Sequence, residues 1–300
     1  MGGCGRPRTG PGDPAPVPPV ADVPAGPFTA GQSYFGRNQY IEYIAGNAPV
    51  IFAAPHGGVV APDEIPARTC GTTVRDSNTE ELARTLSTTF FARTGKYPHV
   101  IINRLSRSRF DANRALAEAA CGNAAAAVAW EEWHALIDIA KAAAIASSGR
   151  AWFVDLHGHG HAIQRLELGY LLTNADLDLP DAQLNALEAA SSVRSLSQDD
   201  TSSNFAQLLR GAESLGALFA AEGFRSIPSP ADPSPSGADY FDGGYNTQRH
   251  GCATSGRVCG VQIEANLAGV RDTETNRARF AEAIVKVTRA FLGARWGMTI

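Results

Sequence analysis

Four stretches of this chain carry residues that can hold a metal ion or move a proton. The first is Ala151 to His161, AWFVDLHGHGH. An apolar, β-prone run from Ala151 to Val154 gives way to Asp155, His157, His159 and His161, spaced by Gly158 and Gly160. A buried strand that stops in imidazoles fixes a metal ligand, and the glycines let backbone and substrate approach closely. The bland alternative is a histidine-rich surface turn. The second stretch has the same design: Pro49 to Ala54 is an apolar strand that runs into Pro55-His56-Gly57-Gly58. Two such strand ends belong side by side at the carboxyl edge of a sheet, where α/β folds place their sites.

The third stretch is the strand His99 to Asn103, followed by Arg104, Arg107, Arg109, Asp111, Asn113 and Arg114. Guanidinium groups in that number after a strand suit recognition of a carboxylate, which Arg grips with paired hydrogen bonds; some of them are plain surface charges. The fourth is Val261 to Asn266, which alternates so that Gln262 and Glu264 share one face. Asp76 stands at the start of a helix marked by Leu82, Leu86 and Phe90. It reads either as a first-turn acid or as a carboxylate ligand near His56. His99 and His134 read as structural, and His159, His161 and His250 as pocket candidates or structural residues.

These stretches need a scaffold of alternating strands and helices. Further strands are predicted at Gln39–Ile44, Leu168–Thr173 and Phe224–Ile227. Helices are predicted at 123–148, 181–190, 204–222 and 273–292. Ser229 to Gly237 reads as a Pro/Ser loop. Tyr240 to Gly251, rich in glycine and polar tips, reads as a loop closing over substrate.

With 300 residues, 44% of them hydrophobic, the chain suits one large α/β domain over residues 31–300. Residues 1–30 are Pro- and Gly-rich and read as a flexible tether. Within them, Gly-Gly-Cys4-Gly is either a lipidation site for a membrane tether or an incidental cysteine. Cys70, Cys121, Cys252 and Cys259 are expected to pair as Cys70–Cys121 and Cys252–Cys259, which fits a secreted or extracytoplasmic protein. A net charge of -4 with no basic stripe argues against a nucleic-acid partner. There is no Gly-x-Ser-x-Gly, no His-Glu-x-x-His, no phosphate loop and no complete dinucleotide fingerprint. What remains is a metal hydrolase with ligands gathered from separate strand ends.

Pro55-His56-Gly57-Gly58, Arg75-Asp76, Asp111-Ala112-Asn113-Arg114, Asp155-Leu156-His157, Gly243-Gly244-Tyr245 and Gln262-Ile263-Glu264 occur in that order. Together they resemble the N-formylglutamate amidohydrolase family. The resemblance implies a three-layer α/β/α sandwich with a mixed central sheet, shared with zinc carboxypeptidases and poly-γ-glutamate hydrolases. It implies one Zn2+ per chain and hydrolysis of an amide bond beside a carboxylate. His56, Asp76 and His157 then look like the metal ligands, with Glu64, Glu80 and Glu81 as alternatives for the carboxylate. Glu264 looks like the general base, with Arg107 or Arg109 on the oxyanion. Asn113 and Arg114 look like a carboxylate clamp, and Tyr245 and His250 join the pocket. Asp155 would steady a ligand imidazole. The implied substrate is a small acidic acyl-amino acid or peptide. A tether and paired disulfides sit poorly with a cytoplasmic enzyme, so a peptidase, γ-glutamyl hydrolase or zinc esterase acting outside the cytoplasm is the alternative. A non-catalytic binding protein is the remaining one.

Overall fold

The computed structural model describes residues 20–253 and 256–300. Eight strands form one mixed sheet: β1 (Ser33–Phe35), β2 (Ile41–Ile44), β3 (Val50–Ala54), β4 (His99–Asn103), β5 (Ala151–His159), β6 (Leu166–Gly169), β7 (Ser226–Ile227) and β8 (Val258–Asn266). Their spatial order is β1-β2-β4-β3-β5-β8-β6-β7. The central four, β4, β3, β5 and β8, run parallel, so their carboxyl ends share one edge. Strands β2 and β6 flank them antiparallel.

Alternation along the strands builds two cores, one on each face. Phe52, Trp152 and Val154 join Leu86, Phe90, Phe280 and Phe291 on one side. Ile51, Ala53 and Phe153 join Trp133, Ile137 and Ala140 on the other. The first core packs under the helices Thr79–Thr94 and Glu274–Trp296, the second under Ala124–Ser148. The result is the expected three-layer α/β/α sandwich. Asn123 and Thr273 cap the two long helices by accepting from Ala126 N–H and Asn276 N–H.

Several boundaries differ from those predicted. β5 does not stop at Val154 but continues through Gly158 to His159, because β8 pairs with it along its whole length. β6 is Leu166–Gly169 rather than 168–173, since pairing with β8 puts Glu167 opposite Glu264. The segment 204–222 splits into Phe205–Arg210 and Leu215–Ala221, each with its own side-chain cap, Asn204 and Ser214. The last part of the Tyr240–Gly251 loop is a helix, Tyr245–His250.

Both expected disulfides are present, Cys70–Cys121 and Cys252–Cys259. The first closes a loop of 51 residues and ties the segment that carries Asp76 to the one that carries Asp111 and Asn113. Cys4 and most of the expected tether lie outside the described residues. Of the rest of that stretch, Asp22 N–H donates to Glu132 at 2.7 Å and Phe28 packs edge-on against Tyr34 and Tyr43. The aromatic ring gives residues 20–30 a foothold on the domain. Among the described residues, no helix is long and apolar enough to cross a membrane.

His99 is buried and structural. Its Nδ1 accepts from the Tyr43 hydroxyl at 2.8 Å and from Gly46 N–H at 3.2 Å. Burial pushes its pKa down to about 4. The folded chain therefore keeps it neutral while the unfolded chain takes up a proton below pH ~6.5. Stability must fall as pH falls from ~6.5 toward 4, by up to roughly 3 kcal/mol from this group. His99→Asn, which preserves an acceptor, should flatten that part of the pH dependence in denaturant titrations. An unchanged slope would contradict this account.

Candidate metal centre and cleft

Toward the carboxyl ends of β5 and β8 the side chains on the face of the helix Ala124–Ser148 change from apolar to polar. The same alternation that sends Ala151 and Phe153 into one core continues as Asp155, His157 and His159. On β8 the matching positions are Gln262, Glu264 and Asn266. Register sets Asp155 opposite Gln262 and His157 opposite Glu264. On the other flank of β5, Ala53 pairs with Asp155, so His56 emerges beside His157. Their rings meet edge-to-face with centroids 4.7 Å apart.

Asp76 enters from the loop before the helix Thr79–Thr94. Its Oδ2 lies 3.3 Å from His56 Nδ1 and 3.1 Å from His157 Nδ1, and it accepts from Gly158 N–H at 3.2 Å. The three alternatives do not come near. Glu64 is held by Arg37, Asn38 and Tyr40, Glu80 by Arg84, and Glu81 is exposed. His56, Asp76 and His157 are all buried, and one ligand atom from each lies within 4.8 Å of the others.

The second nitrogen of each ring is also held. His56 Nε2 is 2.7 Å from Asp111 Oδ1, and His157 Nε2 is 3.1 Å from Asp155 Oδ2. Those carboxylates keep the ring protons on Nε2 and leave lone pairs on Nδ1. Two lone pairs then face one carboxylate oxygen, an arrangement that needs a cation or extra protons between them. The N-to-O separations of 3.1 and 3.3 Å are those of neighbouring ligand atoms about a tetrahedral zinc with bonds of roughly 2.0 Å. The residues present fit the metal.

The charges follow the same pattern. Burial alone would lower the His157 pKa, but Asp155, Asp76 and Glu264 outweigh it and hold the ring well above its ordinary value. Burial would raise Asp76, and the two histidines hold it well below the carboxylate range instead. Burial, with Asp76, Glu167 and Asp155 nearby, pushes Glu264 up to about 8, against the pull of His157. Gln262 Nε2 donates to Glu264 Oε1 at 2.9 Å, while Glu264 Oε2 and Gln262 Oε1 are buried without a protein partner.

These groups line a cleft of about 290 Å³, with Arg107, Asn113, Arg114 and Phe241 to Gly244 on its walls. Arg107 donates from Nε to Asp111 at 3.1 Å and has Nη1 3.5 Å from Asp76 Oδ1. Arg109 instead donates to the Ile65 carbonyl and takes no part. Arg114 is partly exposed at the rim, donating to Glu118 and to the Asn113 carbonyl. The Asn113 amide is occupied: Oδ1 accepts from Asn246 N–H at 2.8 Å and Nδ2 lies 3.2 Å from His157 Nε2. Gly244 presses so close that a β-carbon there would collide with this amide. Asn113 is therefore taken up within the protein, packed against the His157 ring, whereas part of the Arg114 side chain is exposed at the rim.

Two expected pocket residues are elsewhere. Tyr245 faces an adjoining groove of about 500 Å³ that shares Arg114, Asp242, Gly243 and Gly244 with the cleft. His250 does not reach either space. Asn246, Thr247 and His250 form the inward face of their short helix, which buries His250 with its Nε2 2.9 Å from His134 Nδ1. His159 and His161 also lie outside the cleft lining.

Two arginines escaped the sequence reading. Arg68 donates to the carbonyls of Thr72, Arg107 and Glu118, bracing the segments around Asp76 and Asp111. Arg271 donates to the carbonyls of Ala265, His159 and Ser77, joining the ends of β8 and β5 to the Asp76 loop. It lies against Gly158, where a β-carbon would strike its guanidinium. Nothing in their sequence surroundings marks them, since their hydrogen-bond partners are backbone carbonyls, and the one carboxylate beside Arg68, that of Asp111 at 3.6 Å, is brought to it only by the fold.

No protein-family model and no curated protein matches this chain. Among solved structures the fold is similar to the crystal structure of N-formylglutamate amidohydrolase from Ralstonia eutropha. The TM-score is 0.53 at 14% identity, over 86% of this chain and 99% of that one. A gene product of Agrobacterium tumefaciens aligns with a TM-score of 0.48 at 14% identity, over 86% of this chain and 95% of that one. N-acetylmuramyl-L-alanine amidase from Mycobacterium smegmatis aligns more loosely, at 0.35 and 14% identity, over 83% of this chain and 100% of that one. The first of these structures comes from the family that the ordered motifs resemble.

Proposed function

We propose that this chain is a zinc-dependent amidohydrolase acting on an amide beside a carboxylate. The observation that carries the reading is the convergence of His56, His157 and Asp76 in one cleft with Glu264. Two imidazoles and one carboxylate leave a metal an open position, the arrangement of a catalytic site. When bound, zinc supplies a Lewis acid for the carbonyl and acidifies a water molecule.

The chain's own residues do the rest. Glu264 takes the water's proton and returns it to the leaving amine; its unpartnered Oε2 is the atom available for this. Arg107, which also lines the cleft, favours negative charge developing on the carbonyl oxygen. Arg114 at the rim holds the substrate carboxylate through its guanidinium. Asp111 and Asp155 keep His56 and His157 in one tautomer.

The adjoining groove beside Arg114 and Tyr245 favours a substrate longer than an N-formyl amino acid, such as a peptide or glutamyl amide. The two disulfides support an extracytoplasmic setting. An anchor through Cys4 belongs to this proposal.

Glu264→Gln should retain zinc and lose roughly 100-fold or more in kcat on N-acyl amino acids or glutamyl amides. Full turnover in that variant would remove Glu264 from the mechanism. Arg114→Ala should raise KM about tenfold or more for substrates with a free carboxylate, and much less for their amidated counterparts. Equal effects on the two would argue against the clamp.

A further inference from the structure

His159, His161 and Glu167 are left over from the cleft, yet they converge on one another. We infer that they form a second site for a divalent transition-metal cation, independent of His56, Asp76 and His157. One ligand atom from each lies within 4.8 Å of the others. His161 Nδ1 is 2.9 Å and His159 Nδ1 3.9 Å from Glu167 Oε1. Two imidazoles and a carboxylate suit zinc and its neighbours in the first transition row.

Three features show a built site rather than a chance grouping. Glu167 is 0% exposed, and among the described residues no lysine or arginine pairs with it. A buried carboxylate needs a positive partner, and only the two histidines stand there. His159 donates from Nε2 to the Arg165 carbonyl at 2.7 Å, which leaves the lone pair on Nδ1, the atom nearest Glu167. Glu167 Oε2 is taken by Phe241 N–H at 2.8 Å, which aims Oε1 at the rings.

His161 is partly exposed and gives the cation its way in. On loading, His159 Nδ1 exchanges the His161 N–H it now accepts, at 3.1 Å, for the metal. The His161 ring proton moves to Nε2. Phe241 ties this site to the cleft: its N–H holds Glu167, its ring stacks on His161 at 4.6 Å, and it lines the cleft wall. A cation here clamps that wall.

Zinc titration by calorimetry, with elemental analysis after dialysis, tests this on the whole chain. The wild type should take up two equivalents. His161→Ala and Glu167→Gln should each lose one, and His157→Ala should lose the other. Glu167→Gln keeps the shape of the buried side chain, so it stands if His161→Ala fails to fold. A single equivalent in the wild type that survives in His161→Ala and vanishes in His157→Ala would overturn this inference and leave the catalytic reading intact. A single equivalent lost in His161→Ala and kept in His157→Ala would support this site and overturn the catalytic one.

Discussion

One carboxylate oxygen, Asp76 Oδ2, is where the rest of this structure meets. It is buried between two imidazole nitrogens that other carboxylates have already turned into lone-pair donors. Left alone, that arrangement is costly, because buried acceptors face one another with little to compensate them. It becomes favourable when a cation sits among them. Much of the surrounding architecture serves to hold that oxygen in place. The Cys70–Cys121 link, Arg68 and Arg271 each tie the Asp76 segment to a neighbour that carries another site residue.

The sheet supplies the other half. Parallel strands with both faces covered bury their middles, and only their carboxyl ends are free to carry polar groups. β5 and β8 exploit this by extending beyond the helix Ala124–Ser148. The alternation that makes Phe153 a core residue makes Asp155 and His157 site residues two and four positions later. A one-residue slip between β5 and β8 would turn Glu264 away from His157. The nine paired positions along these strands guard against that slip.

The strand ends were legible in the sequence because apolar runs stop abruptly at polar residues. His56 and His157 stand out in this way and Glu264 through the alternation of its strand, and the structure brings all three to one cleft. Asp76 is not singled out by sequence, since an acid at a helix start has an ordinary explanation; only the folded loop separates it from Glu64, Glu80 and Glu81. Of the two readings of His250 the structural one holds: its neighbours in sequence are polar, but the short helix they form buries one face. Arg68 and Arg271 were invisible for a different reason. Their hydrogen bonds go to backbone carbonyls brought together by the fold, and such partners leave no trace in residue type or spacing; the Asp111 carboxylate beside Arg68 lies 43 positions away in sequence.

The central claim is that a metal ion occupies the space between His56, Asp76 and His157. Crystals grown with zinc and measured at the zinc absorption edge test it directly. The account predicts a strong anomalous peak within bonding distance, about 2 Å, of His56 Nδ1, His157 Nδ1 and an Asp76 oxygen. No peak at that position, with the three side chains held together by protons or water alone, would contradict it.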